Sequence, residues 1–479
     1  MLTTKQAAEY LGISMARIRQ LIANGQVVAE RQGKSWLVSQ ESLDAYAATA
    51  AVGRPSRREA AAKKATTPSR YILMSCGFEV ARCVYDPMQR RFTQLELLDG
   101  ARAPLALVSY RTRNGGMCHA FNEWWGSRAI PQSRASMPVR MAELGVSSTF
   151  EIPLRNNGLS LSDQYWLRPE GSATTWEQIN YYRNLFDLGP VDVQGRVGSS
   201  AGEWLNAVGL NSPDNTTDGM LRKRWILDEE GQRVLLKGNG ESGREVYNEI
   251  LATMLYRRLL PSWRYVEYRL ASWRGHDVSA CASFLQDNEE FISAWYVARL
   301  FKKPSNHSAY QHYCETCETL GIVGAQRQLD RMLVCDSLLA NTDRHWGNFG
   351  IIRNVETLEY RPAPIFDTGS SLWSHTTIRD LAAGDYRFTT KPFYENPKRQ
   401  LDMVYDATWY HPEALVGYVD EVREYLVSIF KAENPADVVC KGLEQRIEAV
   451  NAWSRKAPTA GLSPELQALS ETLEWVWLD

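Results

Sequence analysis

The sequence is 479 residues long, with 44% hydrophobic and 11% aromatic residues. A chain of this length predicts roughly three domains, and this composition supports buried cores and excludes general disorder. Its 54 Lys and Arg nearly balance its 56 Asp and Glu, so the net charge of −2 excludes nucleic-acid binding driven by overall charge, and any such signal must be local.

Two further features of the chain concern its compartment. The eight cysteines are scattered through a large chain, which is typical of reduced thiols rather than of a disulfide framework. The first residues lack the basic and apolar layout of a signal peptide, and no apolar run approaches the ~20 residues that span a bilayer. We therefore expect a cytoplasmic protein with no membrane association.

Residues 1–50 have the pattern of a winged helix-turn-helix domain. Thr3 or Thr4 can cap a first helix, and Ser14 can cap a second helix whose apolar residues face inward. A short hairpin and a third helix complete the layout. The segment resembles the excisionase/MerR-like helix-turn-helix, which implies that the second helix enters the major groove of DNA and that the wing lies on the backbone.

Basic residues in and after this domain predict DNA contacts. The linker, residues 51–70, has six Lys and Arg against one Glu and almost no large apolar side chains, so it cannot form a core. Because each phosphate contact strengthens binding, the linker favours DNA as the partner of residues 1–70, and a protein-docking role for the same fold is the alternative. The candidate contact residues are Ser14, Arg17 and Arg19 on the second helix and Arg31 and Lys34 on the wing.

Residues 71–200 predict an α/β region without a clear chemical motif. Strand-like pieces such as Tyr71–Met74 and Leu105–Tyr110 mix with helical pieces. The chain is then strand-rich at first and mainly helical afterwards, which indicates a two-lobed α+β unit. We assign residues 201–286 to the first lobe, which would bind nucleotide, and residues 287–479 to a helical catalytic lobe.

The segment Ala340–Gly350, with the sequence ANTDRHWGNFG, carries the clearest chemical signal. Within it Asp343 lies five residues before Asn348, and Asp367 follows 19 residues after Asn348. Phosphoryl transfer needs an aligned acceptor hydroxyl and a neutralised phosphate charge. One carboxylate can orient or deprotonate the acceptor, and an Asn oxygen with a second carboxylate can hold Mg²⁺, which prefers oxygen ligands. We predict that Asp343 is catalytic and that Asn348 and Asp367 bind Mg²⁺.

Nucleotide-binding residues are expected upstream of this loop. Lys237 ends the strand-like sequence RVLLK, and the next helix carries Glu249, the first choice for its partner, and Glu245, the second choice. Phe284 lies where the chain would cross between the lobes and offer backbone groups to adenine. Gly219 lies in NTTDGMLR, a candidate phosphate-covering turn. Together these residues predict ATP as the cofactor.

The motifs at Asp343–Asn348 and Ile365–Gly369 resemble those of the HipA-like serine/threonine kinases, known as toxins of bacterial toxin–antitoxin pairs. The resemblance covers about residues 202–409. It implies the catalytic and Mg²⁺-binding roles predicted above for the three motif residues, and a phosphate contact for Lys237.

Two details of the resemblance bear on regulation and on the acceptor. In this family the glycine-containing loop can carry an autophosphorylated serine three residues before its glycine. Here that position is Thr216, a different residue type, which we predict as the autophosphorylation site. The sequence DRHWGN also resembles the DRHxxN loop of phosphoinositide-type lipid kinases, which leaves the acceptor open.

The sequence predicts a multidomain α+β protein in which an N-terminal winged helix-turn-helix precedes a two-lobed, protein-kinase-like fold. Its predicted function is ATP- and Mg²⁺-dependent transfer of phosphate to a protein substrate, with DNA bound through residues 1–70. One alternative is a transcriptional regulator whose kinase-like part binds nucleotide without activity. The other is a lipid or small-molecule kinase that uses the same loop.

Overall fold

Two units make up the chain in a computed structural model, Met1–Pro68 and Ser69–Asp479. The structure describes residues 1–11, 15–23, 27–32, 35–51, 67–109, 116–129, 141, 146, 148–186, 213–216, 223–228, 230–240 and 242–457. Within these residues no helix is both long and apolar enough to cross a membrane.

Short helices and strands alternate in the first unit. Its described elements are β1 (Leu2–Thr3), α1 (Thr4–Leu11), α2 (Met15–Ala23), β2 (Ala29–Gln32), β3 (Ser35–Val38) and α3 (Gln40–Ala51). The strands pair antiparallel in the order β1-β3-β2. This arrangement confirms the predicted winged helix-turn-helix, to which β1 adds a third strand that the sequence did not predict.

A reciprocal cap starts the first helix of this unit. The hydroxyl of Thr3 accepts a hydrogen bond from the backbone N–H of Gln6 at 3.3 Å, and the side chain of Gln6 accepts one from the backbone N–H of Thr3 at 3.0 Å. Thr3 is therefore the capping residue of the two candidates. The core beneath α1, α2 and α3 contains the buried residues Ala7, Ala8, Ile18, Leu21, Val27, Val38 and Leu43.

Among the described residues, the second unit begins with an antiparallel sheet of strand order β6-β5-β4-β7. Its strands are β4 (Ser69–Ser75), β5 (Phe78–Asp86), β6 (Arg91–Leu97) and β7 (Tyr165–Pro169). Two helices, α4 (Leu105–Ser109) and α5 (Gly116–Ser127), contribute to the same core as the sheet, and the short α6 (Trp176–Ile179) follows β7.

The strand expected at Leu105–Tyr110 is wrong, because Leu105–Ser109 is the helix α4. Leu105, Ala106 and Leu107 are all buried. A short apolar run that is buried on consecutive positions has neither the alternation of a half-buried strand nor a visible helical period. The tertiary environment therefore decided this element.

A second antiparallel sheet, with the strand order β10-β11-β9-β8, lies in the region that we predict to bind nucleotide. Its strands are β8 (Lys223–Leu227), β9 (Arg233–Lys237), β10 (Arg269–Trp273) and β11 (His276–Ala282). The helix α7 (Glu245–Leu259) connects β9 to β10 and packs against this sheet, while its buried residues Leu251 and Leu255 belong to the core of the helical part.

The rest of the described second unit is mainly helical, as predicted. A small antiparallel sheet contains β12 (Glu289–Ser293), β13 (Gly350–Asn354) and β14 (Tyr360–Pro362). The helices are α8 (Ala294–Val297), α9 (Ala309–Thr319), α10 (Ala325–Leu338), α11 (Ile378–Ala382), α12 (Pro397–Leu401), α13 (Tyr418–Phe430) and α14 (Glu433–Ser454). Because α10 is buried over nearly its whole length, it forms the centre of the core.

The β4–β7 sheet is joined to the helical part by a buried arginine. Arg353 on β13 donates to the hydroxyl of Tyr165 at 2.6 Å and to the carbonyl of Ala103 at 3.1 Å, and it forms an ion pair with Glu290. These contacts join part of the predicted 71–200 region to the unit that contains the motifs predicted to be catalytic.

Candidate active site

Lys237 lies at the end of β9, between the neighbouring strands β8 and β11, and its side chain is only 4% exposed. Its ammonium donates to Glu249 at 2.6 Å, to the hydroxyl of Tyr268 at 3.3 Å, and to Asp367. Burial opposes the charge on Lys237, but the two carboxylates outweigh this effect and raise its pKa well above the ordinary value. Lys237 is therefore a charged lysine held in place by two acidic partners.

Glu249 is the helix residue that meets Lys237, as expected, and Glu245 is not. The second oxygen of Glu249 accepts from the backbone N–H of Thr368 at 3.0 Å, so one carboxylate bonds to both the strand lysine and the loop after Asp367. Glu245 instead accepts from the backbone N–H groups of Gly240 and Arg244, at 3.2 and 3.1 Å. Its role is to order the turn that begins α7.

Asp367 has a backbone φ of 58°, in the left-handed region that non-glycine residues rarely adopt. Burial tends to raise the pKa of its carboxyl, but Lys237, Lys223 and Arg344 together hold that pKa well below its usual range. Asp367 is thus ionised. Two residues further on, Gly369 passes against α7, where a Cβ atom would lie 3.0 Å from the carbonyl oxygen of Glu245. A side chain at Gly369 would push this loop away from the lysine.

The loop from Asp343 to Asn348 is closed by its own hydrogen bonds. The side-chain amide of Asn348 donates to the carbonyl of Asp343 at 3.0 Å, and the backbone N–H of Gly347 donates to Nδ1 of His345 at 3.0 Å. The carboxylate of Asp343 is about half exposed and lies 2.9 Å from the ammonium of Lys391. Asp343 is therefore the carboxylate of this loop that an acceptor could reach.

Arg344, the residue after Asp343, connects the Asp343–Asn348 loop to the Asp367 loop through buried hydrogen bonds. Its guanidinium forms a two-pronged ion pair with Asp336 on α10, at 2.8 and 3.0 Å. It also donates to the carbonyl of Asn348 at 2.8 Å, to the carbonyl of Phe366, and to the hydroxyl of Thr368 at 3.1 Å. One fully buried side chain thereby holds the loop of Asn348 in a defined position relative to the loop of Asp367.

The residues predicted to bind metal fit a magnesium ion. Because the amide nitrogen of Asn348 is bonded to Asp343, its amide oxygen is the atom left for a cation. Asp367 supplies a carboxylate whose ionised form is favoured. The described residues contain no group of three or more His, Cys, Asp or Glu side chains that could hold a metal ion. Mg²⁺ is commonly bound through one or two carboxylates together with phosphate and water.

Phe284 lies just after β11, where the chain leaves the β8–β11 sheet. Its ring stacks on Phe366, the residue before Asp367, with the ring centres 5.4 Å apart, and both rings pack edge-on against Phe291. The predicted crossing segment therefore touches the predicted metal loop directly. This contact places an apolar surface between the two lobes.

Thr216 is buried, in a short 3₁₀ helix, Pro213–Thr216, ahead of β8. Its hydroxyl donates to the carbonyls of Leu159 and Pro213, at 2.9 and 3.2 Å. In this position the hydroxyl is not accessible to a phosphate donor, so its phosphorylation requires this turn to move away. Gly219 lies outside the described residues.

The predicted DNA-contacting residues are only partly described. Arg19 on α2 and Arg31 on β2 are both exposed. Arg17 lies within α2. Ser14 and Lys34 lie outside the described residues. The structure thus places two of the candidate cations on the surface of the first unit.

Three residues of the site were missed from the sequence. Lys391 is 48 residues from Asp343, and no local pattern indicates that contact. Lys223 pairs with Lys237 across β8 and β9 and lies near enough to Asp367 to lower its pKa, which the strand alternation could have indicated. Arg344 belongs to the DRHWGN motif itself, but its inward direction depends on Asp336.

The site therefore combines a strand lysine, a helix glutamate, a loop aspartate and a second loop with an exposed carboxylate, which is a kinase-like arrangement. Residues 1–51 match a family model described as a helix-turn-helix domain. A curated relative, the serine/threonine-protein kinase CtkA of Helicobacter pylori (strain J99), is 55% identical over 42 residues. That match covers 9% of this chain and 13% of the relative, so the chain spans only a small part of the relative's length.

Two solved structures are also similar. A Helicobacter pylori proinflammatory kinase CtkA has 16% identity and a TM-score of 0.38, covering 49% of this chain and 94% of the other. A Shewanella oneidensis MR-1 complex of HipA, HipB and operator DNA has 11% identity and a TM-score of 0.42, covering 84% and 94%. These sequence matches agree with the predicted resemblance, namely an N-terminal helix-turn-helix ahead of a chain that is similar, over 42 residues, to a serine/threonine-protein kinase. The particular activity is a proposal.

Proposed function

We propose that the second unit is an ATP- and Mg²⁺-dependent phosphotransferase, a HipA-like kinase that acts on serine or threonine of a protein. The observation that carries this proposal is that one buried lysine, Lys237, forms ion pairs with both Glu249 and Asp367. A structural ion pair needs only one acidic partner. A lysine held between a helix and a metal-binding loop is placed to meet phosphate where metal also binds.

Each residue of the site has a distinct role in the proposed phosphoryl transfer. Asp343 accepts the proton of the acceptor hydroxyl and orients its oxygen. Lys237 binds phosphate oxygens while Glu249 keeps it in position. Asn348 and Asp367 would hold Mg²⁺, which neutralises the charge of the phosphates when it is bound. Phe284 and the backbone around it line the place for the adenine.

We further propose that the first unit binds DNA and so keeps the kinase near a particular site. Support comes from the helix-turn-helix match of residues 1–51 and from the exposed cations Arg19 and Arg31. The linker adds six basic residues between positions 51 and 70. Such a patch attracts the phosphate backbone even though the whole chain has a net charge near zero.

The test of the kinase proposal is incubation of the purified chain with γ-labelled ATP, Mg²⁺ and whole-cell lysate as the pool of acceptors. Wild-type protein should label one or more proteins. Asp343→Asn keeps the shape of the side chain but removes its charge, so the rate should fall by ~10²–10⁴-fold while ATP still binds. Equal labelling by the variant would contradict the role of Asp343. Nucleotide binding without any transfer by the wild type would instead favour an inactive, regulatory site.

A further inference from the structure

Lys391 forms an ion pair with Asp343 that folding alone does not explain. Its ammonium lies 2.9 Å from Oδ1 of Asp343, and the two side chains are 51% and 44% exposed. Water screens a pair with this exposure, so it contributes little to stability. Stability therefore does not explain why Lys391 lies at the carboxylate that is predicted to be catalytic.

A turn with several internal hydrogen bonds fixes the backbone position of Lys391. The side chain of Gln400, which is 3% exposed, donates to the carbonyl of Lys391 and accepts from the backbone N–H groups of Phe393 and Tyr394, both at 3.0 Å. The hydroxyl of Thr390 donates to the carbonyl of Tyr394 at 2.8 Å. A loop with this many internal hydrogen bonds presents its lysine from a fixed base.

The same turn packs against the catalytic loop. The ring of Phe393 lies edge-on to Trp346, with centres 5.3 Å apart, and to Tyr310 on α9, with centres 5.5 Å apart. Trp346 belongs to the DRHWGN motif, three residues after Asp343. The turn of Lys391 and the loop of Asp343 therefore form one packed structure.

The other described cations of the site have different partners. Lys237 is bonded to Glu249 and Asp367, and the guanidinium of Arg344 points inward to Asp336. Lys223 lies on the nucleotide lobe, near Asp367. Among the described residues, Lys391 is the cation that forms an ion pair with Asp343.

We propose that Lys391 is a further catalytic residue, which binds the phosphoryl group during transfer and holds Asp343 toward the acceptor. The inference rests on the proposed kinase function. In the reaction, a bond forms between the acceptor oxygen and the γ-phosphorus. The bond to the bridging oxygen breaks, its electron pair leaves with ADP, and the hydroxyl proton passes to Asp343. Lys391 donates to a γ-phosphate oxygen and so offsets the charge that Asp343 would bring close to the phosphate.

The test compares Lys391→Ala and Lys391→Arg with the matched control Lys398→Ala. Lys398 lies on the same segment, is 81% exposed and pairs with Asp402 away from the catalytic loop. Transfer rates and the affinities for Mg·ATP and Mg·ADP are measured for each, with thermal unfolding to verify the fold. Lys391→Ala should lower the transfer rate by ~10²-fold, the usual effect of losing one donor to the transferring group. It should weaken Mg·ATP binding and leave Mg·ADP binding unchanged, because ADP lacks the γ-phosphate.

Lys391→Arg should recover part of the rate, and Lys398→Ala should match the wild type. A Lys391→Ala variant with the wild-type rate would overturn the proposal, as would an equal loss of ATP and ADP affinity. A wild-type protein that binds both nucleotides but transfers no phosphate would contradict the proposed function alone. In that case the loss of ATP affinity relative to ADP affinity in Lys391→Ala would still decide whether Lys391 contacts the γ-phosphate. A protein that binds neither nucleotide would contradict both.

Discussion

Lys237 and Asp367, 130 residues apart in the sequence, form a direct ion pair in which the lysine side chain is 4% exposed. The pair connects Lys237, the last residue of β9, to the loop between β14 and α11. Removing Lys237 would leave the carboxylates of Asp367 and Glu249 without their shared cation, whereas removing Asp367 would leave Lys237 with Glu249 alone. Each partner therefore matters to the geometry of the site before any ligand binds.

The metal role predicts different effects for two substitutions. Asp367→Asn and Asn348→Ala should both weaken Mg²⁺-dependent ATP binding, and Asp367→Asn should have the larger effect because it removes a full negative charge. Calorimetric titration of ATP with and without Mg²⁺ measures this. Asp385→Asn, whose carboxylate pairs with Arg387 at the surface, is the control. Unchanged Mg·ATP affinity in Asp367→Asn would exclude it as a ligand.

The buried position of Arg344 predicts a large loss of stability on truncation. Arg344→Ala leaves Asp336 buried without its partner, so the free energy of unfolding should fall by about 3–5 kcal/mol. Arg344→Lys should recover little, because a lysine cannot reproduce the two-pronged contact with Asp336. Denaturant unfolding measures both. The control, Arg387→Ala, removes an arginine that is 90% exposed and should unfold as the wild type does. Wild-type stability in Arg344→Ala would contradict the role of Arg344 in connecting the two loops.

A pH effect on stability is expected from Asp330 on α10. Its burial raises the pKa of the carboxyl to about 7, although Tyr310 and two backbone N–H groups donate to it. The unfolded chain releases this proton near pH ~3.9, so the folded state binds more protons between about pH 4 and 7. This contribution to stability is therefore complete below that window and is lost as the pH rises through it.

The variant Asp330→Asn should flatten this dependence. Thermal unfolding temperatures measured from pH 5 to 8 give the slope for the wild type and the variant. The slope is the readout, since the amide also changes one hydrogen bond at every pH. Asp402→Asn, at an exposed ion pair with Lys398, should keep the wild-type slope. Parallel curves for wild type and Asp330→Asn would show that Asp330 is ionised throughout.

The two-unit architecture predicts separable functions. Removal of residues 1–68 should leave phosphoryl transfer largely intact and abolish binding to DNA upstream of the coding sequence, because domains joined by such linkers usually fold alone. In the full chain, Arg19→Ala and Arg31→Ala should each reduce the salt slope of DNA binding by about one for each phosphate that the arginine neutralises. Binding measured at several salt concentrations tests this. A full-length chain without DNA affinity at low salt would make the first unit a protein-docking module.

Because the hydroxyl of Thr216 is buried, we expect that its phosphorylation is incompatible with the packed turn at Pro213–Thr216. A phosphate adds a charge of about −1.5 to −2 at neutral pH, which the position between the carbonyls of Leu159 and Pro213 cannot accept. Phosphorylated protein should therefore have lost this packed turn. The adjacent Thr217 is chemically an equal acceptor. Mass spectrometry of protein from cells should find phosphate on Thr216 or Thr217 in the wild type and not in Asp343→Asn. Phosphate on neither residue in an active kinase would exclude this regulation.

Much of the site was predictable because its residues lie in short, regular patterns. Asp343 and Asn348 belong to one segment of eleven residues, and Lys237 ends the short apolar run RVLLK, which is a strand as predicted. The choice of Glu249 over Glu245 also followed from the apolar helical run beside it. The strand predicted at Leu105–Tyr110 failed because its apolar residues are buried consecutively.

The sequence by itself determined which residue types the site contains, since motif spacing and helix or strand periodicity are properties of neighbouring residues. Only the tertiary structure decided that Arg344 turns inward to Asp336 and that Lys391 reaches Asp343. Asp336 lies on α10, eight residues before Arg344, and Lys391 lies 48 residues after Asp343, so in both cases the path of the chain decides which charges meet. The buried charge of Arg344 is favourable only beside an opposite charge, and no local pattern records that partner.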